Sequence, residues 1–251
     1  MLKHKSHCGE LLFSLISQQK IMDESTTKTL LISLFGGGCL VFFIYSSWYS
    51  RFKLRQLKEL PSVMQAAGFQ LFPHPNLHKS YPFLPTFKLA NDEDRTMHCA
   101  QKRELDTEIT AFVYTERRKN TNHYTPVLMA TLSHAVPDLC IYTRSTAFGP
   151  ITPANQQVFK TNNPELDKIF RITAASESDF RSLLTLNLQQ YLLQNQDITQ
   201  LEISQKTIAL FNSDSRFFQL VTTNGIPSAE QFNRRLKQIT EIQRIIETTK
   251  S

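Results

Sequence analysis

The sequence predicts an α+β protein, with one N-terminal transmembrane helix followed by a domain of mainly antiparallel strands with two amphipathic helices. Three observations carry this. Thr29 to Ser50 run for 22 residues without a charge. Two later segments repeat apolar residues at i, i+3, i+4 spacing. Short β-rich runs with short connections lie before and between those segments. At 251 residues, 41% hydrophobic and 20% charged, the chain has the size of one ordinary domain with accessory segments. That excludes collagen, a cysteine-stapled mini-protein and a wholly disordered chain.

Residues 1–28 form an N-terminal segment. Its apolar patch, Leu11, Leu12, Phe13, Leu15 and Ile16, is too short to span a bilayer and suits a short interfacial helix. Met22 offers an alternative start just before the anchor. Residues 29–50 are the expected transmembrane helix, since about 20 residues at ~1.5 Å each cover the ~30 Å hydrocarbon core. A cleaved leader would have a shorter apolar core and a small-x-small exit, which Ser-Ser-Trp-Tyr-Ser-Arg does not provide. Gly36, Gly37 and Gly38 would weaken a helix in water by roughly 1 kcal/mol each relative to Ala but are tolerated in lipid. Trp48 and Tyr49 suit the headgroup layer, and Arg51, Lys53, Arg55 and Lys58 follow at once. These six are the expected membrane-interface residues, and the basic flank assigns the C-terminal part to the cytoplasmic side of the cell membrane.

The formal charge of +6 belongs to this front region. Residues 1–82 hold nine Lys/Arg against four Asp/Glu, whereas 83–251 hold nineteen against eighteen. A nucleic-acid partner is therefore not expected, because phosphate binding needs clustered cations on the folded domain. The partners expected instead are the lipid bilayer and either other proteins or a second copy of the chain. Cys8, Cys39, Cys99 and Cys140 show no CxxC and no regular spacing. Cys99 and Cys140 are expected as small buried residues in a reducing compartment.

Residues 51–85 read as a basic juxtamembrane helix and a Pro-rich linker. Phe52, Leu54, Leu57 and Leu60 line the helix, Pro61 interrupts it, and Gly68 caps the turns that follow. This stalk is expected to hug the membrane surface. Four prolines between Phe72 and Pro85 then make an extended connector or a lip over the next domain. Residues 86–251 form the soluble α+β domain. Strands are expected at 87–89, 97–102, 109–114, 127–134, 139–143, 169–173, 200–204, 207–211 and 217–222, with 116–122 as a hairpin loop and a tight hairpin at Gln205-Lys206. Ser176-Glu-Ser-Asp179 starts one helix, lined by Phe180, Leu183, Leu184, Leu188, Tyr191 and Leu192. Gly225-Ile-Pro227 sets up the other, striped by Phe232, Leu236, Ile239, Ile242, Ile245 and Ile246.

No phosphate-binding loop, dinucleotide fingerprint, nucleophile elbow, HExxH or EF-hand occurs. The expectation is thus no catalytic residue, no cofactor and no metal. His74 and His78 stand four apart but beside Pro73 and Pro75, off any helix. Asp92-Glu-Asp94 reads as a solvated turn, and Asp106 and Glu108 as exposed strand residues. His98 and His134 fall in strands.

The phrases Gln65-Ala-Ala-Gly-Phe69, Ile109 to Tyr114, Tyr124-Thr-Pro-Val-Leu-Met-Ala-Thr131 with Val136-Pro-Asp-Leu139, and Phe170-Arg-Ile-Thr173 give the chain a resemblance over about residues 51–220. It resembles a widespread class of uncharacterised bacterial membrane proteins with an N-terminal anchor, a basic juxtamembrane helix and a cytoplasmic α+β domain. Ala90-Asn-Asp-Glu-Asp-Arg-Thr96 departs from that class, where glycine-containing turns are expected. The resemblance implies layout and no activity. The leading expectation is a membrane-held interaction or regulatory module. A lipid-headgroup-responsive domain is the second reading, and a hydrolase built from His98, His134 or Asp106 with a distant Ser, Cys or carboxylate is the third.

Overall fold

The computed structural model describes residues 37, 45, 48, 51, 55–88, 90–104, 107–118, 121–144, 153, 155–211 and 227–249. The chain divides into two compact units, Met1–Tyr49 and Ser50–Ser251, and every element below belongs to the second. Among the described residues no helix is long and apolar enough to cross a membrane. This corrects the transmembrane helix in the expected fold class. Of the 29–50 stretch only Gly37, Tyr45 and Trp48 are described, each helical and exposed; the rest of that expectation lies outside the described residues. The 20-residue C-terminal helix has the length to span, but Arg234, Arg235, Lys237, Glu241, Arg244 and Glu247 make it unfit for hydrocarbon.

Helix α1 (residues 55–66) runs straight through Pro61. A helix-interior proline costs about 3 kcal/mol, and burying Leu57, Leu60 and Met64 at roughly 1.5–3 kcal/mol each outweighs it. Of the residues expected to line the juxtamembrane helix, Leu57 and Leu60 face the protein core, and Phe52 and Leu54 lie outside the described residues. Gly68 ends the helix at φ 85°. The Gly68 amide donates to Gln65 O at 2.9 Å and the Phe69 amide to Met64 O at 3.0 Å, the paired closure that a left-handed glycine permits.

The sheet comprises β1 (Gln70–Leu71), β2 (Arg95–Glu104), β3 (Thr107–Arg118), β4 (Thr121–Thr143), β5 (Gln157–Phe159), β6 (Phe170–Ala174) and β7 (Gln200–Phe211). All pairings are antiparallel. Strands β3 and β4 zip together to Arg118↔Thr121, so the expected 116–122 loop shrinks to two residues. The 23 residues of β4 would extend about 75 Å at ~3.3 Å each, too far for a domain of this size. They fold into two arms. Thr121–Ala130 pairs with β3, and Leu139–Thr143 pairs with β6.

Between those arms sits β7, and it doubles back. Twelve extended residues would separate its ends by about 40 Å, yet the Thr199 hydroxyl donates to the Phe211 carbonyl at 3.0 Å. Gln200 reaches Thr86 while Phe211 packs on the adjacent Phe87. The reversal falls at Gln205, φ 53°, where the tight hairpin was expected. One arm of β4 pairs with 207–211, the other with 200–205, and the register slips between Thr131 and Leu139 as the chain arches over the hairpin tip.

One face of the sheet carries α1, α3 (Pro164–Ile169), α4 (Glu177–Leu183), α5 (Leu186–Gln194) and α6 (Ala229–Thr248). Asn163, Ser176, Thr185 and Ser228 cap the last four. The helix expected from Ser176 is two, because Leu184-Thr185 breaks it and Thr185 accepts the Leu188 amide. The other face is covered by the Pro-rich segment, a lip containing a 3-10 turn, Leu77–Ser80, and the one-turn helix α2, Pro85–Lys88. The strand expected at 87–89 is therefore helical up to Lys88, because Phe87 turns inward. The strand expected at 217–222 lies outside the described residues.

Candidate functional site

Three polar clusters could hold chemistry, and each begins with the alternation of a strand. On the lip face, cross-strand pairing sets Glu202, Cys140 and Thr173 in one row and Gln200, Tyr142 and Arg171 in the next. Glu202 is fully buried. Its carboxylate accepts from Thr86 Oγ1 at 2.6 Å, the Thr86 amide at 3.3 Å, Gln200 Nε2 at 2.9 Å and Tyr142 Oη at 3.3 Å. Burial holds its carboxyl above the usual carboxylate range, and those four donors only partly offset that. Burial, then the neighbouring Glu202, pushes the Cys140 thiol up to about 12 and raises the Tyr142 phenol as well. A thiol so placed stays protonated and unreactive. The chemistry open to this cluster is fastening, and what it fastens is the lip, through Thr86.

Asp94 organises the second cluster. Expected in a solvated turn, it is fully buried. It accepts from Tyr114 Oη at 2.6 Å, the Asn91 amide at 2.8 Å and the Arg117 amide at 3.0 Å. Its neighbours do behave as solvated residues, for Asp92 and Glu93 are exposed. Beside it the lip is stitched to β2. The Thr96 amide donates to Pro75 O at 2.7 Å, Thr96 Oγ1 donates to His74 O and accepts from the Leu77 amide, and Cys99 Sγ approaches His74 O at 3.4 Å.

The third cluster brings a serine, a histidine and a carboxylate together where β4 arches over the hairpin tip. Ser133 Oγ donates to Glu247, the Ser133 amide donates to Glu247 Oε1 at 2.6 Å, and His134 Nδ1 lies 3.1 Å from Ser133 Oγ and 3.3 Å from Glu247 Oε2. Acyl-transfer catalysis needs the hydroxyl on one ring nitrogen and the acid on the other. Here one nitrogen faces both, while Nε2 is buried without a hydrogen-bond partner. The Ser133 amide, the natural oxyanion donor, is committed to Glu247. Burial raises the Glu247 carboxyl, but the Ser133 hydrogen bonds and His134 outweigh it and leave the group below its ordinary value. The triplet is a pin between α6 and the arch, and Gln243 Nε2 adds a second at 2.9 Å to Thr131 O.

The remaining expected positions are scattered. Trp48 is exposed, its ring 6.4 Å from Tyr45. Arg51, Arg55 and Lys58 are exposed and helical, with Arg55 paired to Glu59 at 2.8 Å. Tyr49, Lys53 and Asp106 lie outside the described residues. His98 occupies a bulge of β2 at φ 52°. Among the described residues no three His, Cys, Asp or Glu side chains come close enough to hold a metal ion. Cys99 and Cys140 are buried and free. A cavity of about 20 Å³ lies between Leu60, Met64, Leu128, Leu210, Phe232 and Arg235, room for roughly one water. Arg235 is already spent on Gln238 Oε1 at 2.8 Å and Asp197 O at 2.7 Å. Sequence reasoning missed Thr86, Asp94, Glu202 and Glu247. Strand alternation placing Glu202 between apolar neighbours was the one signal available.

Fold and clusters together define an α+β domain, an antiparallel sheet with helices on one face and an extended lip on the other. No protein-family model matches the sequence, and no curated protein does. Among solved structures the chain is similar to the mycobacterial trehalose monomycolate transport factor A, TtfA, at TM-score 0.55 and 7% identity, over 74% of this chain and 90% of that one. The likeness is one of fold.

Proposed function

We propose that this chain is a non-catalytic interaction module of a bacterial cell, working at the cytoplasmic face of the cell membrane. One observation carries the reading. The serine, histidine and carboxylate that come together are wired as a pin, with Ser133 giving both amide and hydroxyl to Glu247. What remains for a partner is surface, and Leu186 at 74% and Val158 at 44% exposure are apolar side chains offered to it. The similar fold of a protein described as a transport factor supports an accessory role. Photo-crosslinking in cells from Leu186 and Val158 tests this. Discrete adducts from one of them and none from Lys88 are expected, whereas ester or peptide hydrolysis by the purified chain that disappears in S133A and E247A would contradict it.

The second reading is a lipid-headgroup-responsive domain, favoured by the exposed Arg51, Arg55 and Lys58. It requires binding to anionic vesicles that weakens as salt rises, and equal binding to neutral vesicles would remove it.

A further inference from the structure

Among the described residues His78 is a buried ionisable side chain that none of the three clusters uses. It sits in the 3-10 turn of the lip with no exposed surface, against Tyr114 at 5.4 Å and Phe87 at 6.2 Å between ring centroids. Neither ring nitrogen has a hydrogen-bond partner. A neutral imidazole tolerates such a place at the cost of one donor and one acceptor, whereas an imidazolium would bring two donors and a charge into it. The charged and titratable groups facing it offer little relief. Asp94 favours the cation, but its oxygens are taken by Tyr114, Asn91 and Arg117. Lys79 on its own turn and Arg95 at the start of β2 oppose it. Tyr114 from β3 gives its hydroxyl to Asp94, and Phe87 from α2 gives only a ring.

We propose that His78 is a proton-operated latch, so that its protonation releases the lip and uncovers the aromatic face of the sheet around Phe112, Tyr114 and Phe211. Burial sets the direction, since it depresses the basicity of His78 more than Asp94 restores it. The folded value is below the unfolded one, so the closed lip gains stability that is full above about pH 6.5 and is lost as pH falls through the folded value. Opening therefore gains about tenfold for each unit of depression. The lip is the part that yields, because what else holds it is a set of hydrogen bonds through Thr96, Cys99 and Thr86 and the buried side chains of Leu77, Leu84 and Phe87, while α6 keeps its apolar stripe in the larger opposite core.

Cys99 supplies the test, for it is buried directly under the lip and touches His74 O. The full chain is treated with dithiodipyridine, which reacts in mild acid, and modification is located by mass spectrometry and expressed relative to an unstructured cysteine peptide at each pH. Between about pH 7.5 and pH 5, relative labelling of Cys99 is expected to rise steadily as the pH falls while Cys140 stays protected. In H78F the rise disappears. Cys99 labelling that ignores pH, or a rise that survives in H78F, overturns the proposal. Parallel rises at Cys99 and Cys140 in the wild-type chain also overturn it, since that marks whole-domain unfolding and needs no variant to interpret.

Discussion

The two faces of the sheet are held by different physics. The helix face is closed by an aliphatic core in which Ile109, Leu139, Ile141, Leu201, Ile203 and Ile208 are all fully buried. The lip face mixes Phe87, Phe112 and Phe211 with buried ionisable groups, namely His78, Asp94, Cys99, Cys140 and Glu202. Apolar burial is indifferent to protons, whereas a buried group whose pKa is displaced on folding, as burial does for His78 and Glu202, ties stability to pH. The helix face therefore carries most of the aliphatic burial, and the lip face gathers most of the buried ionisable groups.

The largest effect should come from the helix face. Leu139→Ala removes a fully buried side chain and should cost about 2–5 kcal/mol, read as a loss in urea midpoint that is the same at acid and neutral pH. On the lip face, Asp94→Asn keeps the size but turns one of the two oxygens that accept from Tyr114, Asn91 and Arg117 into a donor, and should cost about 1–3 kcal/mol. A loss above about 3 kcal/mol would erase the contrast between the faces.

Glu202 sharpens it further. Its folded pKa lies above the unfolded one, so its contribution is full below about pH 4.3 and is lost as pH rises through the folded value. His78 has the opposite sign. E202Q should flatten the fall of stability with rising pH, and an unchanged slope would show that the carboxylate is already compensated. The smallest effect is expected at a helix end rather than in either core, where Asn163→Ala removes the cap of α3 and should cost about 1 kcal/mol at every pH.

Local chemistry was legible in the sequence and tertiary chemistry was not. The Gly68 closure, the Ser176 cap and the reversal at Gln205 depend on a few neighbouring residues, and all three could be read. The break at Thr185 was local too, but the i, i+4 stripe of Leu184 and Leu188 masked it. Pro61 misled because its cost is local while the burial that offsets it comes from residues far along the chain. Asp94 looked like a solvated acid because its Tyr114 donor is twenty residues away. The Glu202 cluster joins Thr86 to a strand 116 residues later, and Ser133 meets Glu247 across 114. No spacing rule reaches that far. The expected transmembrane helix rested on apolar length, its aromatic end and its basic flank, yet among the described residues no helix is long and apolar enough to cross a membrane.

Hydrogen exchange of the full chain, wild type against Thr86→Val, probes the division between the faces most directly. The substitution removes the Thr86 hydroxyl that donates to Glu202 and accepts from Gln200. Residues 72–88 should then exchange faster by about one to two orders of magnitude, the equivalent of a buried hydrogen bond lost, while α6 exchanges as before. Equal acceleration in the lip and in α6 would mean that the two faces open together, and that the polar clusters do not hold the lip independently of the core.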